Sequence, residues 1–344
     1  VAGSVSTVKS DKLENTPTAA FDQALQGQVA GLTVLSSTGE PSASATMTIR
    51  GTNSINSGTA PLYILDGVAI SASDFNTINP ADIESMEVMK DAGATAIYGA
   101  RAANGVILVT TKRGKEGHSA INVRAKFGLN YFHDNYTFLG AADYLYWMRM
   151  SYKRAASYGA TNLSSLNGVQ PYGTGNIYFN KDGSPADGNK VNQANWSTMK
   201  YTDDLAFLLN EGWQTMIDPV YGDKLIFKEF MLEDVNINSP AFSQDYTIDF
   251  QGGNDKGSYY SSLGYNNSEG NATNNWYKRF TWTFNGDYKI KPWLTSSSSI
   301  NFSHNTWYGL VGNTDVAHYF SRVFTVPPTF RGTNPDGEWL IGVR

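Results

Sequence analysis

The feature that most constrains this chain is a set of long segments in which apolar and polar residues alternate. In the first segment the apolar residues are Ile121, Val123, Ala125, Phe127, Leu129 and Tyr131. The residues between them are polar, charged or glycine, and a period of two places each set on one face of a β-strand. Similar segments lie at 246–251, 278–290 and 294–303. The second half of the chain is therefore predicted to form antiparallel β-sheet with two unlike faces.

The polar face of these predicted strands consists mainly of Ser, Thr, Asn and Gly, whereas the solvent face of a soluble β-sandwich usually carries Lys and Glu. Aromatic residues make up 13% of the chain and charged residues only 17%. A wet interior and an aromatic, lipid-facing exterior would produce this pattern in a membrane β-barrel. The sequence contains no run of 18 or more apolar residues, so any membrane crossing would use strands. A soluble β-sandwich remains the alternative.

The connections between predicted strands differ in length. They are short after Gly252 and at Lys291-Pro292, longer at 266–277 and very long at 133–243. Outer-membrane barrels have short turns on one rim and long loops on the other. If the first strand runs outward, 133–243 is an external excursion. A helical spacing of apolar residues predicts a helix at Asp143–Ser157 within it.

The residue pattern of roughly the first 115 residues is typical of a small mixed α/β domain. Short apolar segments predict strands at Leu32–Leu35, Ala45–Arg50, Leu62–Leu65, Met86–Met89 and Val106–Thr110. Apolar residues at four-residue spacing predict an amphipathic helix over Thr18–Val29. A short helix should begin at Pro80 with Asn79 as its N-cap, and another near Ala92–Tyr98 should end at Gly99.

Residues suited to catalysis or metal binding are scarce. The chain has no cysteine, and its four histidines, at 118, 133, 304 and 318, lack the spacing of a metal site. There is no phosphate-binding loop and no nucleophile elbow. The net charge of −5 provides no basic surface for nucleic acid. We therefore expect no enzyme, no cofactor, no metal site and no nucleic-acid partner.

Specific sequence blocks identify a family. The longest run, from Asn79 to Gly114, reads NPADIESMEVMKDAGATAIYGARAANGVILVTTKRG. In order, the other blocks are ALQGQVAGL at 24–32, IRG at 49–51, PLYILDGV at 61–68, Ser258–Gly270, Lys278-Arg279-Phe280 and Trp293-Leu294. Together they resemble the SusC/RagA-like branch of TonB-dependent outer-membrane transporters. The resemblance covers most of the chain except much of 133–243.

The resemblance implies a fold and a domain division. The expected fold is an α+β plug domain, residues 1–117, followed by antiparallel transmembrane β-barrel strands, residues 118–344, with a long extracellular excursion at 133–243. A closed barrel of this class has about 22 strands around a plugged lumen. Only about five or six strands of roughly ten residues are recognisable here. We therefore expect this chain to be one part of a 22-stranded plugged barrel.

The function implied by the resemblance is TonB-dependent active import of oligosaccharides across the bacterial outer membrane. The implied partners are a SusD-like surface lipoprotein, TonB for energy coupling and outer-membrane lipid; a dimer of SusC–SusD-like pairs is left open. The alternatives are an oligopeptide importer of the same family and an outer-membrane receptor that transduces a signal. A soluble β-rich binding protein is a third hypothesis.

Eight residues of the plug-like blocks are candidates for a structural or coupling role: Arg50, Asp66, Asp91, Tyr98, Gly99, Arg101, Asn104 and Gly105. The glycines would allow tight turns and close backbone approach. The charged residues would form either hydrated ion pairs between plug and barrel or fixed contacts within the plug. No catalytic or substrate-contact residue is predicted.

Overall fold

The computed structural model describes residues 5–10, 21–36, 39–41, 43–49, 51, 59–91, 95–190, 194–309 and 321–340. The chain folds into two compact units. The first unit comprises Val1–Phe132 and Asn238–Val311, and the second comprises His133–Ile237 and Gly312–Arg344.

The N-terminal part of the first unit, up to residue 114, is a small α/β domain that we refer to as the N-terminal domain. Its strands are β1 Val5–Lys9, β2 Leu32–Leu35, β3 Thr46–Ile49, β4 Leu62–Leu65, β5 Val68–Ile70, β6 Ile83–Met89 and β7 Val106–Thr111. Five of them form a sheet in the order β1-β6-β7-β4-β5, and β2 pairs with β3. Helix α1 spans Ala72–Asn76. The predicted strands of this domain are thus confirmed within the described residues.

The amphipathic helix predicted for Thr18–Val29 is wrong within its described part. Residues 21–29 contain only a 3₁₀ helix, Gln23–Leu25, followed by turns. Gly27 has φ +72°, a left-handed conformation through which a right-handed helix cannot continue. The apolar spacing still identified the buried side chains of this segment, which are Phe21, Leu25 and Val29.

A buried carboxylate, Asp22, accounts for the short helix. Its side chain accepts hydrogen bonds from the backbone N–H of Gln23, at 2.7 Å, and of Ala45. Burial raises the pKa of Asp22, and these hydrogen bonds oppose the rise. Burial, followed by the nearby charge of Asp22, also raises the pKa of Tyr63 to about 12. Asp22 therefore connects the turn to β3 inside the apolar core.

The two other predicted helices of the N-terminal domain are 3₁₀ helices. The first is Pro80–Asp82, and the Asn79 side chain caps it by accepting from Ala81 N at 3.0 Å, as predicted. The second spans Ala96–Ala102 and kinks at Gly99, where φ is 67° and ψ is −158°. The predicted segment Ala92–Tyr98 lies partly outside the described residues. The kink falls at the glycine that was expected to end the helix.

The remaining elements follow in chain order. The strands are β8 Ser119–Asn130, β9 Met199–Lys200, β10 Gln214–Ile217, β11 Lys224–Phe227, β12 Ala241–Asn254, β13 Gly257–Glu269, β14 Trp276–Lys291 and β15 Leu294–Tyr308. The helices are α2 Ala141–Ser157 and α3 Glu233–Asn236, with 3₁₀ helices at Leu163–Asn167 and Asp203–Glu211. Among the described residues, no helix has the length and apolar character needed to cross a membrane.

In the first unit, β8 and β12–β15 form one antiparallel sheet in the order β15-β14-β13-β12-β8, which we refer to as the long sheet. We define its upper end as the end that contains Asn130 and Glu269. The predicted turns after Gly252 and at Lys291-Pro292 are confirmed as short. The connection predicted at 266–277 is shorter than expected, because the flanking strands continue to Glu269 and resume at Trp276.

The two faces of the long sheet differ as the alternation predicted. On the outer face apolar side chains are exposed, and Val123 is 73% exposed. The exposed apolar and aromatic residues of this face include Ile121, Phe127, Leu129, Tyr246, Leu263, Phe280, Trp282, Ile300 and Phe302. On the inner face polar residues are buried, among them Thr247, Asp249, Ser262, Thr281, Thr283 and Asn285. A soluble β-sandwich would bury the apolar rows instead.

The second unit is organised around α2, which begins two residues before the helix predicted at Asp143–Ser157 and ends at Ser157 as predicted. From α2, Arg149 donates two hydrogen bonds to Asp218, at 2.9 and 2.5 Å, and both residues are buried. Burial acts to raise the pKa of Asp218, but hydrogen bonds from Arg149 and from the backbone N–H of Val220 outweigh it and lower the pKa. A three-stranded sheet, β10-β11-β9, completes this unit.

Candidate functional site

The N-terminal domain packs against the inner face of the long sheet, and their interface is the candidate site. The upper contact is made by Asn79, whose side-chain amide lies 3.3 Å from Thr247 Oγ1 and 3.5 Å from Thr281 Oγ1. Gly264 lies between these two threonines in the sheet register. A Cβ at Gly264 would approach Asn79 Nδ2 to 2.4 Å, so the missing side chain permits the contact.

One row lower in the sheet, Asp82 is the centre of a buried hydrogen-bond network. The Tyr260 hydroxyl donates to Asp82 Oδ1 at 3.0 Å, and the Thr283 hydroxyl donates to Oδ2 at 2.8 Å. Asp82 is 1% exposed and Tyr260 is fully buried. Burial raises the pKa of Asp82, and hydrogen bonds from Thr283 and Tyr260 counteract part of the rise. The capped turn that Asn79 begins places this carboxyl against the sheet.

The lower contacts continue along β14. Asn285 Nδ2 donates to Thr111 Oγ1 and to the carbonyl of Lys112, both at 2.7 Å. Below it, Arg113 forms an ion pair of 3.2 Å with Asp287, and their side chains are 37% and 30% exposed. This partly hydrated ion pair is of the first of the two kinds left open for the charged residues of the plug-like blocks. Its two residues were not among the candidates.

Two further contacts join the N-terminal domain to β14 and to the loop before it. Arg279 Nη1 donates to the carbonyls of Ile78 and Asn76, at 3.3 and 3.4 Å. Nearer the upper end, Asn275 Nδ2 donates to Glu40 Oε1 at 2.8 Å. Because this interface consists largely of polar contacts, water can replace them at modest net cost when the surfaces separate.

A cavity of about 570 Å³ lies between the N-terminal domain and the upper half of the long sheet. The charged residues that line it are Glu40, Arg124, Lys126, Asp245, Glu269 and Arg279. Asn79, Pro80 and Ala81 also line it. Equal numbers of acidic and basic groups make this space hydrophilic without a strong net charge.

Of the predicted site residues, Asp66 lies at the interface. It occupies the turn between β4 and β5 with φ 48°, and its two oxygens accept from Thr111 N at 2.9 Å and from Thr111 Oγ1 at 2.6 Å. Ser299 of β15 lies 3.5 Å from its Oδ2. Asp66 therefore holds the end of β7 in position and also touches the long sheet.

Five other candidates lie together at the opposite end of β4 and β7 from Asp66: Tyr98, Gly99, Arg101, Asn104 and Gly105. Tyr98 packs on a small apolar cluster, Arg101 is exposed, and Asn104 Nδ2 donates to the Ala60 carbonyl at 3.4 Å. Gly105 has φ +93°, and a Cβ there would meet Ile49 Cδ1 at 2.6 Å. This group shapes the junction between the 3₁₀ helix and β7.

The two remaining candidates are Asp91 and Arg50. The Asp91 carbonyl accepts from Thr95 N at 3.0 Å. Arg50 lies outside the described residues. Among the residues that the structure describes, no group of three or more His, Cys, Asp or Glu side chains could hold a metal ion.

Sequence reasoning missed the roles of three residues at the centre of the interface. Asn79 was identified only as a helix cap, and Asp82 and Tyr260 were not singled out. A signal was present for Asp82, because an acidic residue directly precedes an apolar strand in a turn whose first residue is a cap. No comparable signal marked Tyr260. Its neighbour is also a tyrosine, and only the strand register decides which of the two faces the N-terminal domain.

The chain is similar to known proteins in both sequence and structure. The family model of the TonB-dependent Receptor Plug Domain matches residues 1–106. TonB-dependent receptor P26 of Formosa agariphila is 28% identical over 343 residues, which are 98% of this chain and 28% of that relative. TonB-dependent receptor SusC of Bacteroides thetaiotaomicron is 44% identical over 126 residues, which are 35% of this chain and 13% of that relative.

A solved structure extends the likeness to nearly the whole chain. The RagAB peptide importer in its "closed-closed" state matches with a TM-score of 0.70 and 28% identity, over 99% of this chain and 35% of that chain. This chain thus spans about a third or less of the length of these proteins. The plug match, the SusC likeness and the RagAB likeness agree with the two-faced sheet and the domain packed on its polar side. The chain therefore belongs to the SusC/RagA-like TonB-dependent transporters of the bacterial outer membrane, and it carries their plug domain and antiparallel barrel strands.

Proposed function

We propose that this chain forms part of an importer that moves oligosaccharides across the outer membrane with energy delivered through TonB. The observation that carries the proposal is the unlike environment of the two faces of the long sheet. Apolar side chains such as Val123 and Phe302 are exposed on one face, and the N-terminal domain covers buried polar groups on the other. A lipid-facing wall with an obstructed hydrophilic interior suits a gated transporter. The family consists of transporters and receptors and not of enzymes.

The proposed division of the chain is a plug at 1–117 and barrel strands at 118–344. If the plug leads into β8 at the periplasmic rim, β8 runs outward through the membrane. The turns 255–256 and 292–293 then fall on the periplasmic rim, and residues 133–243 form an extracellular excursion. This assignment agrees with the short periplasmic turns that are typical of outer-membrane barrels.

We further propose roles for the candidate plug residues. Asp66 has a structural role, because it positions Thr111 next to the long sheet. Tyr98, Gly99, Arg101, Asn104 and Gly105, together with Arg50 and Asp91, shape or transmit movement within the plug. The exposed Arg101 is the member of this group best placed to meet another molecule.

The proposed cargo is an oligosaccharide, because the inner face offers amides, hydroxyls and charges of both signs that suit the hydroxyl groups of sugars. A second candidate is an oligopeptide. It is favoured by the likeness over 99% of this chain to the RagAB peptide importer. Backbone amides of a peptide would find similar partners on this face.

Deletion of the gene for the full-length transporter in its source bacterium tests the function. We expect loss of energy-dependent uptake of oligosaccharides and recovery when the gene is restored. Removal of TonB activity should have the same effect as the deletion, because the energy source is then absent. Unchanged uptake of both oligosaccharides and oligopeptides in the deletion strain would contradict import. Loss of peptide uptake alone would select the second candidate.

The proposed partner is a SusD-like surface lipoprotein. Purification of the full-length transporter from outer membranes under mild detergent should recover this lipoprotein in equimolar amount. The mass of the purified complex should distinguish one transporter–lipoprotein pair from a dimer of pairs. Recovery of the transporter without any lipoprotein would contradict the pairing.

A further inference from the structure

The cavity between the N-terminal domain and the long sheet has a defined lower boundary. The row of inner-face residues just above this boundary is Lys126, Asp245, Asn266 and Arg279, and the row at the boundary is Arg124, Thr247, Gly264 and Thr281. Residues of both rows line the cavity. Asn79 of the N-terminal domain lies against the lower row, where it contacts Thr247 and Thr281. The cavity therefore ends where the capped turn meets the sheet.

Beneath that row the interface is closed by buried contacts. Asp82 follows Asn79 in the same turn and is held by Tyr260 and Thr283. No more than 1% of the surface of Tyr260, Ser262 or Asp82 is exposed. A hydrophilic molecule in the cavity would thus meet the turn Asn79–Asp82 as the next obstacle.

The contacts of the N-terminal domain with β14 and β15 lie to one side of this cavity. Arg279, Thr283 and Asn285 of β14 and Ser303 of β15 all hydrogen-bond to it. The open volume lies on the other side, towards β8 and β12, where Arg124, Lys126, Ser243 and Asp245 line it. The contacts with β14 and β15 thus lie towards one edge of the sheet, whereas the cavity extends to β8 at the other edge. Asn79 and Arg279 take part in both the attachment and the cavity lining.

We infer that this cavity is the first stretch of the path by which solute passes the plug, along β8 and β12, and that the turn Asn79–Asp82 closes its lower end. The inference rests on the proposed import function and adds the route. The amides and the charges of both signs that line the cavity suit a neutral hydrophilic oligomer. The volume of about 570 Å³ is in the range of sites for small organic ligands. Transport would require the turn to leave Thr247 and Thr281, and Asp82 would separate from Tyr260 and Thr283. The contacts of Asn285 and Ser303 with other parts of the domain can persist.

Single cysteines in the full-length transporter test the route, and this chain contains no cysteine of its own. Ser243→Cys places a thiol in the cavity with little change of volume. Ser297→Cys is the matched control, because Ser297 faces the same side of the sheet opposite Asp287, below the turn. Each thiol is modified in intact cells with maleimides of increasing size. Mass spectrometry measures the extent of labelling, and uptake and surface binding of solute are then compared.

We expect uptake through labelled Ser243→Cys to fall at least tenfold as the reagent grows, while surface binding of solute is unchanged. Labelled Ser297→Cys should keep uptake within twofold of the unlabelled protein. Full uptake through completely labelled Ser243→Cys would overturn the route, and so would loss of surface binding together with uptake. Absence of energy-dependent uptake in the unlabelled protein would instead contradict the import function itself.

Discussion

The phenolic hydroxyl of Tyr260 donates a hydrogen bond of 3.0 Å to the carboxyl group of Asp82, which lies 178 residues earlier in the chain. Tyr260 belongs to the long sheet and Asp82 to the N-terminal domain. Both are buried, so the bond forms only when the domain is docked on the sheet. This contact and its neighbours lead to three predictions for the full-length transporter, and the outer face of the long sheet and the second unit each lead to one more.

The first prediction concerns the Tyr260 hydroxyl, which donates this hydrogen bond. Tyr260→Phe leaves the buried Asp82 carboxyl with one fewer hydrogen bond, which we expect to destabilise docking by about 1–3 kcal/mol. Hydrogen exchange of the amides at 79–91 should become faster. Tyr259→Phe is the control, because Tyr259 lies on the opposite face and is 47% exposed. Equal exchange in the two variants would show that the Tyr260 hydroxyl contributes nothing.

The second prediction concerns pH. Burial raises the pKa of Asp82 above its ordinary value of 3.8. The folded state therefore binds this proton more tightly than the unfolded state. Its contribution to the free energy of unfolding is present at low pH, falls as the pH rises through the folded-state pKa, and is constant at higher pH. Asp82→Asn should remove this part of the pH dependence.

Urea resistance of the N-terminal domain, followed by protease cleavage at several pH values between 4 and 8, measures this effect. The loss of resistance on raising the pH should be smaller in Asp82→Asn than in the wild type. Asp22→Asn provides a comparison, because burial also raises the pKa of Asp22 but within the core of the domain. A wild-type pH profile that Asp82→Asn leaves unaltered would refute the prediction.

The third prediction concerns the close approach at Gly264. Gly264→Ala places a Cβ at 2.4 Å from Asn79 Nδ2 and 2.5 Å from Thr281 Oγ1. Asn79 is held by its capping bond, so we expect the turn to move away at a cost of about 1–3 kcal/mol. Gly39→Ala is the control, since its Cβ would have open space. Protease cleavage within the N-terminal domain should be faster only in Gly264→Ala.

The fourth prediction tests the lipid-facing assignment of the outer face. Phe302 and Asn301 are neighbours on β15 that point to opposite faces. Phe302→Lys puts a charge on the face proposed to meet lipid, at a cost of about 2–4 kcal/mol near the bilayer midplane. The amount of folded transporter in the outer membrane should fall, whereas Asn301→Lys should assemble nearly normally. Similar assembly of both variants would argue against lipid contact at Phe302.

The fifth prediction concerns the second unit. Arg149→Met leaves Asp218 buried without its ionic partner, which should destabilise this unit by about 3–5 kcal/mol. Limited proteolysis should then cut within residues 133–237 at a lower temperature than in the wild type. Arg154→Met, on the exposed face of the same helix, should leave the cleavage temperature unchanged. A cleavage temperature unaffected by Arg149→Met would mean that the pair contributes little.

Local patterns in the sequence predicted much of the secondary structure. Alternation predicted β8 and β14 and the opposite environments of their two faces, because side-chain direction in a strand depends only on position along it. The capping role of Asn79 was also predictable, because its hydrogen bond with Ala81 joins residues only two positions apart. The apolar stripe at Phe21, Leu25 and Val29 correctly predicted burial. The helix predicted from the same stripe is wrong, because the backbone at Gly27 takes a positive φ.

The identity of interacting partners depended on the tertiary structure. Asn79 reaches Thr247 across 168 residues and Asp82 reaches Tyr260 across 178, and both contacts depend on the register of β12, β13 and β14. A shift of one residue in that register would turn Tyr260 outward and Tyr259 inward. Long-range pairing is set by the docking of whole elements, and for that reason the buried polar network became visible only in the folded chain.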